Sequence, residues 1–310
     1  MNNELHVVLG ARGAAGNAIA RELIQQGKRV RVVGRGVNGN FPASVEQVQA
    51  DVAKYDDARR AGAGAAVVYK ATNVPYPEWH AKFPALLDGA IESAASANAK
   101  LIMVDNLYMY GKVDAPLTED LPYRTDTRKG ELRARMAETL MRAHASGKVR
   151  VAIARGSDYY GPNVTNALAS IELFRAIRAG KQAMWAGSLE VPHTLTFVND
   201  FARGVAILGS RDDLLVQVWH IPAAAPLTAR QFLKLAFECA GKPTKIGCYS
   251  RAVMSLVGIF SPMVREATEM LYQFENPFVL DASKFARAVP EFSPTPHRDA
   301  IRITLDSITA

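Results

Sequence analysis

Short apolar runs alternate along the chain with longer stretches whose apolar positions recur every three or four residues. The first run is Leu5-His6-Val7-Val8-Leu9, the length a buried parallel strand needs. Residues 17–26 then read as a helix that Gly27 stops, and residues 30–33 as the next strand. Strands are expected over 45–52, 65–69, 100–105 and 149–154, with helices over 55–62, 79–98 and 128–146. This βαβα alternation predicts an α/β fold with a Rossmann-like doubly wound parallel sheet.

After residue 165 the regularity breaks. Helices are expected over 167–179, 200–208, 228–240 (N-capped by Thr228) and 298–308, and strands over 195–198 and 216–221. Residues 249–274 read as helical, interrupted by Pro262. The expected organisation is a nucleotide-binding domain over 1–165, to which part of 195–225 returns. Residues 166–310 would form a smaller, C-terminal mixed α/β substrate lobe over the C-terminal edge of the sheet.

Between the first strand and the first helix stand Gly10, Gly13 and Gly16. Gly10 lets the chain turn without a Cβ clash. Gly13 would let backbone approach a pyrophosphate, and Gly16 would let the helix sit close to the sheet. The helix head at Ala14 supplies free N–H donors and a positive dipole end for that anion. The turn therefore predicts a dinucleotide site.

Composition narrows the partners. Hydrophobic residues make up 49%, enough for a full core. The net charge of +7 suits nucleic acid, an acidic surface or an anionic small ligand. No basic run carries interleaved aromatics and no helix-turn-helix or zinc pattern stands out, so nucleic acid is not expected. The densest basic region, 124–155, reads as a solvated helix face. Cys239 and Cys248 form neither a metal spacing nor a disulfide framework, and the six histidines do not cluster with acids. The longest uncharged apolar stretch, 252–264, is too short to span a bilayer, and the first strand begins too near Met1 for a signal peptide. A cytoplasmic protein with no bound metal, no membrane partner and a small-molecule substrate is expected.

Several local patterns then converge. They are the three glycines, Asp51-Val52, Tyr110-Gly111, Tyr160-Gly161-Pro162, Val198-Asn199-Asp200 and Asp281-Ala282-Ser283-Lys284. With them the chain resembles the extended short-chain dehydrogenase/reductases, the superfamily of sugar-nucleotide epimerases and dehydratases. The resemblance implies a nicotinamide dinucleotide held by the glycine turn, Asp51 and Val52 at the adenine, and Ala71 and Asn73 beside ribose and pyrophosphate. It places Asn106 and Tyr160 near the nicotinamide, and implies a homodimer through helices 80–98 and 128–146.

The catalytic slots of that superfamily hold other residues here. Its Ser or Thr slot holds Asn106, and its Tyr-x-x-x-Lys slots fall on Gly130 and Ala134 when Glu138 is taken as the Glu that follows. In this respect the chain is similar to atypical members lacking the Ser-Tyr-Lys set. Neither Gly130 nor Ala134 can transfer a proton, so Tyr108, Tyr123, Tyr159 and His193 are the candidate donors.

The cofactor choice turns on two arginines. NAD-preferring sites place an acid at the end of strand two for the ribose 2′-OH. Here Gly34 stands there and Arg35 follows, with Arg12 inside the turn. Two guanidiniums suit a 2′-phosphate, so NADP is expected, with NAD as the alternative. The expected function is an NADP-binding oxidoreductase of the epimerase/dehydratase-like type acting on a small or nucleotide-linked carbonyl or hydroxyl compound. The rival is a non-catalytic NAD(P)(H)-binding regulator that docks a partner protein.

Overall fold

A computed structural model of the chain describes residues 4–36 and 40–308. Six strands follow one another first: β1 (Leu5–Leu9), β2 (Arg29–Gly34), β3 (Glu46–Gln49), β4 (Ala65–Lys70), β5 (Lys100–Asp105) and β6 (Arg150–Arg155). Short strands β7 (Asp158–Tyr160), β8 (Ala183–Ala186), β9 (Pro192–His193) and β10 (Leu195–Phe197) come next. They are followed by β11 (Val218–His220), β12 (Leu227–Thr228) and β13 (Ile246–Tyr249). Seven of these form one sheet in the order β11-β6-β5-β4-β1-β2-β3, all parallel. The order reverses beside β1, so the turn leaving β1 opens at the crevice where doubly wound sheets bind ligands.

Helices cover both faces: α1 (Ala14–Gln25), α2 (Tyr55–Gly62), α3 (Trp79–Ala95), α4 (Arg128–Ala145) and α6 (Val198–Ser210); α5 (Ile171–Arg178) packs elsewhere. The side chains of β1 alternate as a pleated strand requires. Val8 packs with Ile19 of α1 and Phe201 of α6, while Leu5, Val7 and Leu9 pack with Phe83 of α3 and Leu132 of α4. Ala90 and Ala94 of α3 are buried against the sheet of their own chain.

The later helices are α7 (Ala229–Cys239), α8 (Arg251–Phe260), α9 (Pro262–Glu269), α10 (Tyr272–Glu275), α11 (Ser283–Ala288) and α12 (His297–Asp306). A separate apolar cluster joins Phe174 of α5, Phe232 and Phe237 of α7, Ile301 of α12 and Trp185 of β8. β11 lies outside it, hydrogen-bonded to β6 in the main sheet.

Two expected elements come out differently. The third strand is shorter than 45–52, because the Asp51 amide is taken by the Asp57 carboxylate at 2.8 Å, outside the strand ladder. Residues 249–274 form three helices instead of one interrupted helix. Ser261 caps α9 by accepting the Val264 amide, and Pro262 sits in its first turn, where no N–H is required.

Candidate active site

The glycine turn is built as its spacing requires. Gly10 has φ +89°, and a Cβ there would lie 2.7 Å from the Thr72 Cα. A Cβ on Gly16 would lie 2.4 Å from the Gly10 carbonyl oxygen, so only glycine lets α1 sit this close to β1. At Gly13 a Cβ would meet no protein atom nearer than 3.5 Å. The space Gly13 leaves therefore faces the crevice, where a ligand would use it. Gly13 is also the N-cap of α1 and offers no side-chain cap, so the first-turn amides remain available to an anion. This cradle fits a dinucleotide pyrophosphate.

A cleft of about 990 Å³ runs from this turn across the C-terminal edge of the sheet. At one end lie Arg12, Arg35, Asp51 and Val52, with the Arg12 guanidinium close over Gly36. Both arginines are exposed, and among the described residues neither forms an ion pair. Ala71 and Asn73 line the middle beside Gly10, Gly13 and Ala14. The far end has a polar floor of Asn106, Tyr108, Arg133, Ser157, Asp158 and Tyr159. Its roof comes from α8, α9 and α10.

Beneath that floor is a buried charge network. Asp105 ends β5 and accepts from Arg155 Nε at 3.2 Å and Arg133 Nη1 at 3.4 Å. Arg155 also donates to the hydroxyls of Tyr110 at 2.6 Å and Tyr123 at 2.7 Å. Burial opposes its charge, but Asp105 and these two phenols outweigh burial and hold it protonated. Arg133 stacks 4.5 Å from the Trp79 ring, and its Nε is buried without a partner. Lys70, wholly buried beside it, is lowered to about 7, by burial first and then by Arg133. Tyr108 and Tyr76 share a 2.8 Å hydroxyl hydrogen bond. Burial raises both phenols, Tyr76 to about 12 and Tyr108 well above its ordinary value. Both thus hold their protons at neutral pH.

The other expected residues are placed as follows. Tyr159 lines the cleft and donates its hydroxyl to the Asp105 carbonyl at 3.1 Å. His193 is buried between Phe274 and Phe278 and does not line the cleft. It reaches the cleft through Asp158, whose carboxylate lies 2.8 Å from Nε2, while Nδ1 faces the Gln273 carbonyl. Tyr123 lies outside the cleft, on Arg155. Tyr160 is fully buried in the separate apolar cluster of α5, α7 and α12 and bonded to His297, because its phenol completes the aromatic packing there. Gly16 does not line the cleft either; it serves the helix–strand contact behind it.

The basic region 124–155 is not uniformly a solvated face. Lys129, Arg133 and Arg155 are buried, and Lys129 bonds Glu266 and Glu269 of α9 under the Tyr76 ring. Asp158, Ser157, Gln273 and Tyr76 escaped sequence reading. Ser157 and Asp158 are adjacent, but Tyr76 and Gln273 lie far from them in the chain, and no local pattern marks the group as neighbours.

Gly130 explains why one family slot carries no tyrosine. A Cβ there would lie 2.1 Å from Thr125 Oγ1, 2.6 Å from the Tyr108 carbonyl and 2.7 Å from Thr127 Oγ1. Thr127 is the N-cap of α4 and accepts the Gly130 amide at 3.1 Å. The chain itself fills the slot. Gly130→Tyr is therefore expected to destabilise the fold by at least the ~1–3 kcal/mol typical of overpacking. Urea unfolding would measure it, and an unchanged midpoint would refute the assignment.

Turn, sheet order and cleft define a dinucleotide-binding doubly wound α/β protein. Residues 6–218 match the model of the NAD dependent epimerase/dehydratase family, and the chain belongs to that family. No curated protein sequence matches it. Among solved structures it is similar to the UDP-glucose 4-epimerase of Thermus thermophilus in complex with NAD. Identity is 16%, coverage 98% of both chains and the TM-score 0.77. It is also similar to the dTDP-glucose 4,6-dehydratase of Bacillus anthracis strain Ames in complex with NAD. There identity is 13%, coverage 98% of this chain and 96% of the other, and the TM-score 0.79. The UDP-N-acetylglucosamine 4-epimerase of Bacillus cereus gives 14% identity, 97% and 98% coverage and a TM-score of 0.74. At such identities the likeness is one of fold. No helix among the described residues is long and apolar enough to cross a membrane, and none of their His, Cys, Asp and Glu side chains group as metal ligands.

Proposed function

We propose that the protein is an NADP-dependent oxidoreductase acting on a small or nucleotide-linked carbonyl or hydroxyl compound, with residues 166–310 as its substrate lobe. The observation carrying this reading is the continuity of the cleft. It runs unbroken from Arg12 and Arg35 past Gly13 to Asn106, Tyr108 and Arg133. When bound, the nicotinamide group supplies or removes a hydride at a carbon bearing oxygen. Arg12 and Arg35 grip the 2′-phosphate, and the α1 amides hold the pyrophosphate. In the reducing direction Tyr108 gives its proton to the substrate oxygen. The Tyr76 hydroxyl orients the phenol through their shared hydrogen bond, and the charge of Arg133 stabilises the phenolate left behind.

The test is a thermal-stability titration with NADP, NADPH, NAD and NADH. NADP(H) is expected to bind best. Arg12→Ala and Arg35→Ala are each expected to weaken NADP(H) about tenfold or more, the scale of a lost charge-assisted hydrogen bond, and to leave NAD(H) nearly unchanged. Equal responses to all four in the parent chain would remove the NADP assignment.

The filled slot at Gly130 favours a second reading, a dinucleotide-binding regulator that docks a partner protein. Cofactor binding without turnover of any carbonyl or alcohol would select it.

A further inference from the structure

The oxidoreductase reading leaves the substrate open between a small compound and a nucleotide-linked one. We propose that the far half of the cleft takes an uncharged, largely apolar carbonyl compound or alcohol and rejects a nucleoside diphosphate. The inference rests on that reading for the reaction, but on the cleft walls for the ligand.

The charge of the far half disfavours a diphosphate. A diphosphate needs free cations or amide donors to replace its water. Among the described residues the cleft carries four cationic side chains: Arg12, Arg35, Lys82 and Arg133. Arg12 and Arg35 stand at the glycine-turn end, and Lys82 is paired with Glu78. Arg133 alone belongs to the far half, and it shares the Asp105 carboxylate with Arg155. The far half also carries Asp158, beside Ser157 and Tyr159. Its negative charge is felt at Tyr76, Tyr108, Tyr159 and Tyr272. A diphosphate placed there would meet the Asp158 carboxylate and a single guanidinium.

The roof of the far half is apolar. Met254, Met263, Met270, Leu271, Phe274 and Phe278 close the far half. Three methionines make a soft wall that adapts to apolar shapes of differing outline. The outer side of α8, where Leu256 is 62% exposed, does not line the cleft. An apolar compound thus meets an apolar roof over a polar floor. On the floor, the partnerless Ser157 Oγ and Arg133 Nε suit one hydroxyl or carbonyl oxygen.

The full-length chain saturated with NADP⁺ tests this, because NADP⁺ and a ketone cannot react. The probes are 2-octanone, acetophenone, UDP and UDP-glucose, read by calorimetry and by Trp79 fluorescence. Both ketones are expected to bind at least tenfold more tightly than UDP or UDP-glucose. Raising the salt concentration should leave the ketones unaffected. Met254→Asp, in the roof, should weaken ketone binding at least tenfold with NADP⁺ affinity unchanged. Leu256→Asp, on the outer side of the same helix, should alter neither. Tighter binding of UDP or UDP-glucose, or binding of no probe, overturns the proposal while cofactor binding still stands. Failure of NADP⁺ itself to bind would instead overturn the oxidoreductase reading.

Discussion

Arg155→Met is expected to destabilise the protein by about 3–5 kcal/mol, the cost of stranding one partner of a buried ion pair. The guanidinium is wholly buried, and it serves Asp105, Tyr110 and Tyr123 at once. Without it Asp105 keeps only the longer contact to Arg133. Two phenol hydroxyls lose a charged donor as well, and buried polar groups left unsatisfied add their own penalty. The flat methionine chain fills much of the volume, so the loss reports charge more than cavity. Adding Asp105→Asn should recover part of the loss, since the stranded carboxylate is its main source. Urea unfolding of the single and double variants measures both effects. A single-variant cost below about 1 kcal/mol would show that the network does not hold this end of the sheet.

Tyr108→Phe is expected to lower kcat by about 10²–10⁴, the usual contribution of a positioned general acid. The variant should keep its fold and its NADP(H) affinity, because the ring packs with Trp79 and only the hydroxyl is removed. Tyr76→Phe should give a smaller loss, as Tyr76 acts on Tyr108 through their shared hydrogen bond. Burial keeps both phenols protonated through neutral pH. The Tyr108 step should therefore show no loss of its donor as pH rises from 6 to 9. Single-turnover oxidation of NADPH measures the chemical step. A Tyr108→Phe variant with parental turnover would pass the donor role to Tyr159 or to the Asp158–His193 pair.

Much of the frame was legible from the amino acids alone. The apolar runs at Leu5–Leu9, Ala65–Lys70 and Lys100–Asp105 announce buried parallel strands, because such strands must be apolar on both faces. Gly10, Gly13 and Gly16 announce the crevice, because their requirement is local: a turn, a close approach and a helix contact within seven residues. The second lobe was harder. β8 and β13 are only four residues each, too short for a pattern to mark them, and β13 is partly exposed.

By itself, then, the sequence determined the doubly wound sheet, the glycine cradle and the two arginines at its outer end, since each depends on neighbours in the chain. Only the tertiary structure decided what stands at the far end of the cleft. It turned Arg133 and Arg155 from a basic stretch into buried partners of Asp105, set Tyr76 beside Tyr108, and brought Asp158 to His193 across 35 residues. It also filled the Gly130 slot with the chain's own threonines. The physical reason is range. Strands, turns and caps are governed by residues a few positions apart, whereas desolvated charges and shared protons depend on groups that meet only when the sheet and the second lobe close together.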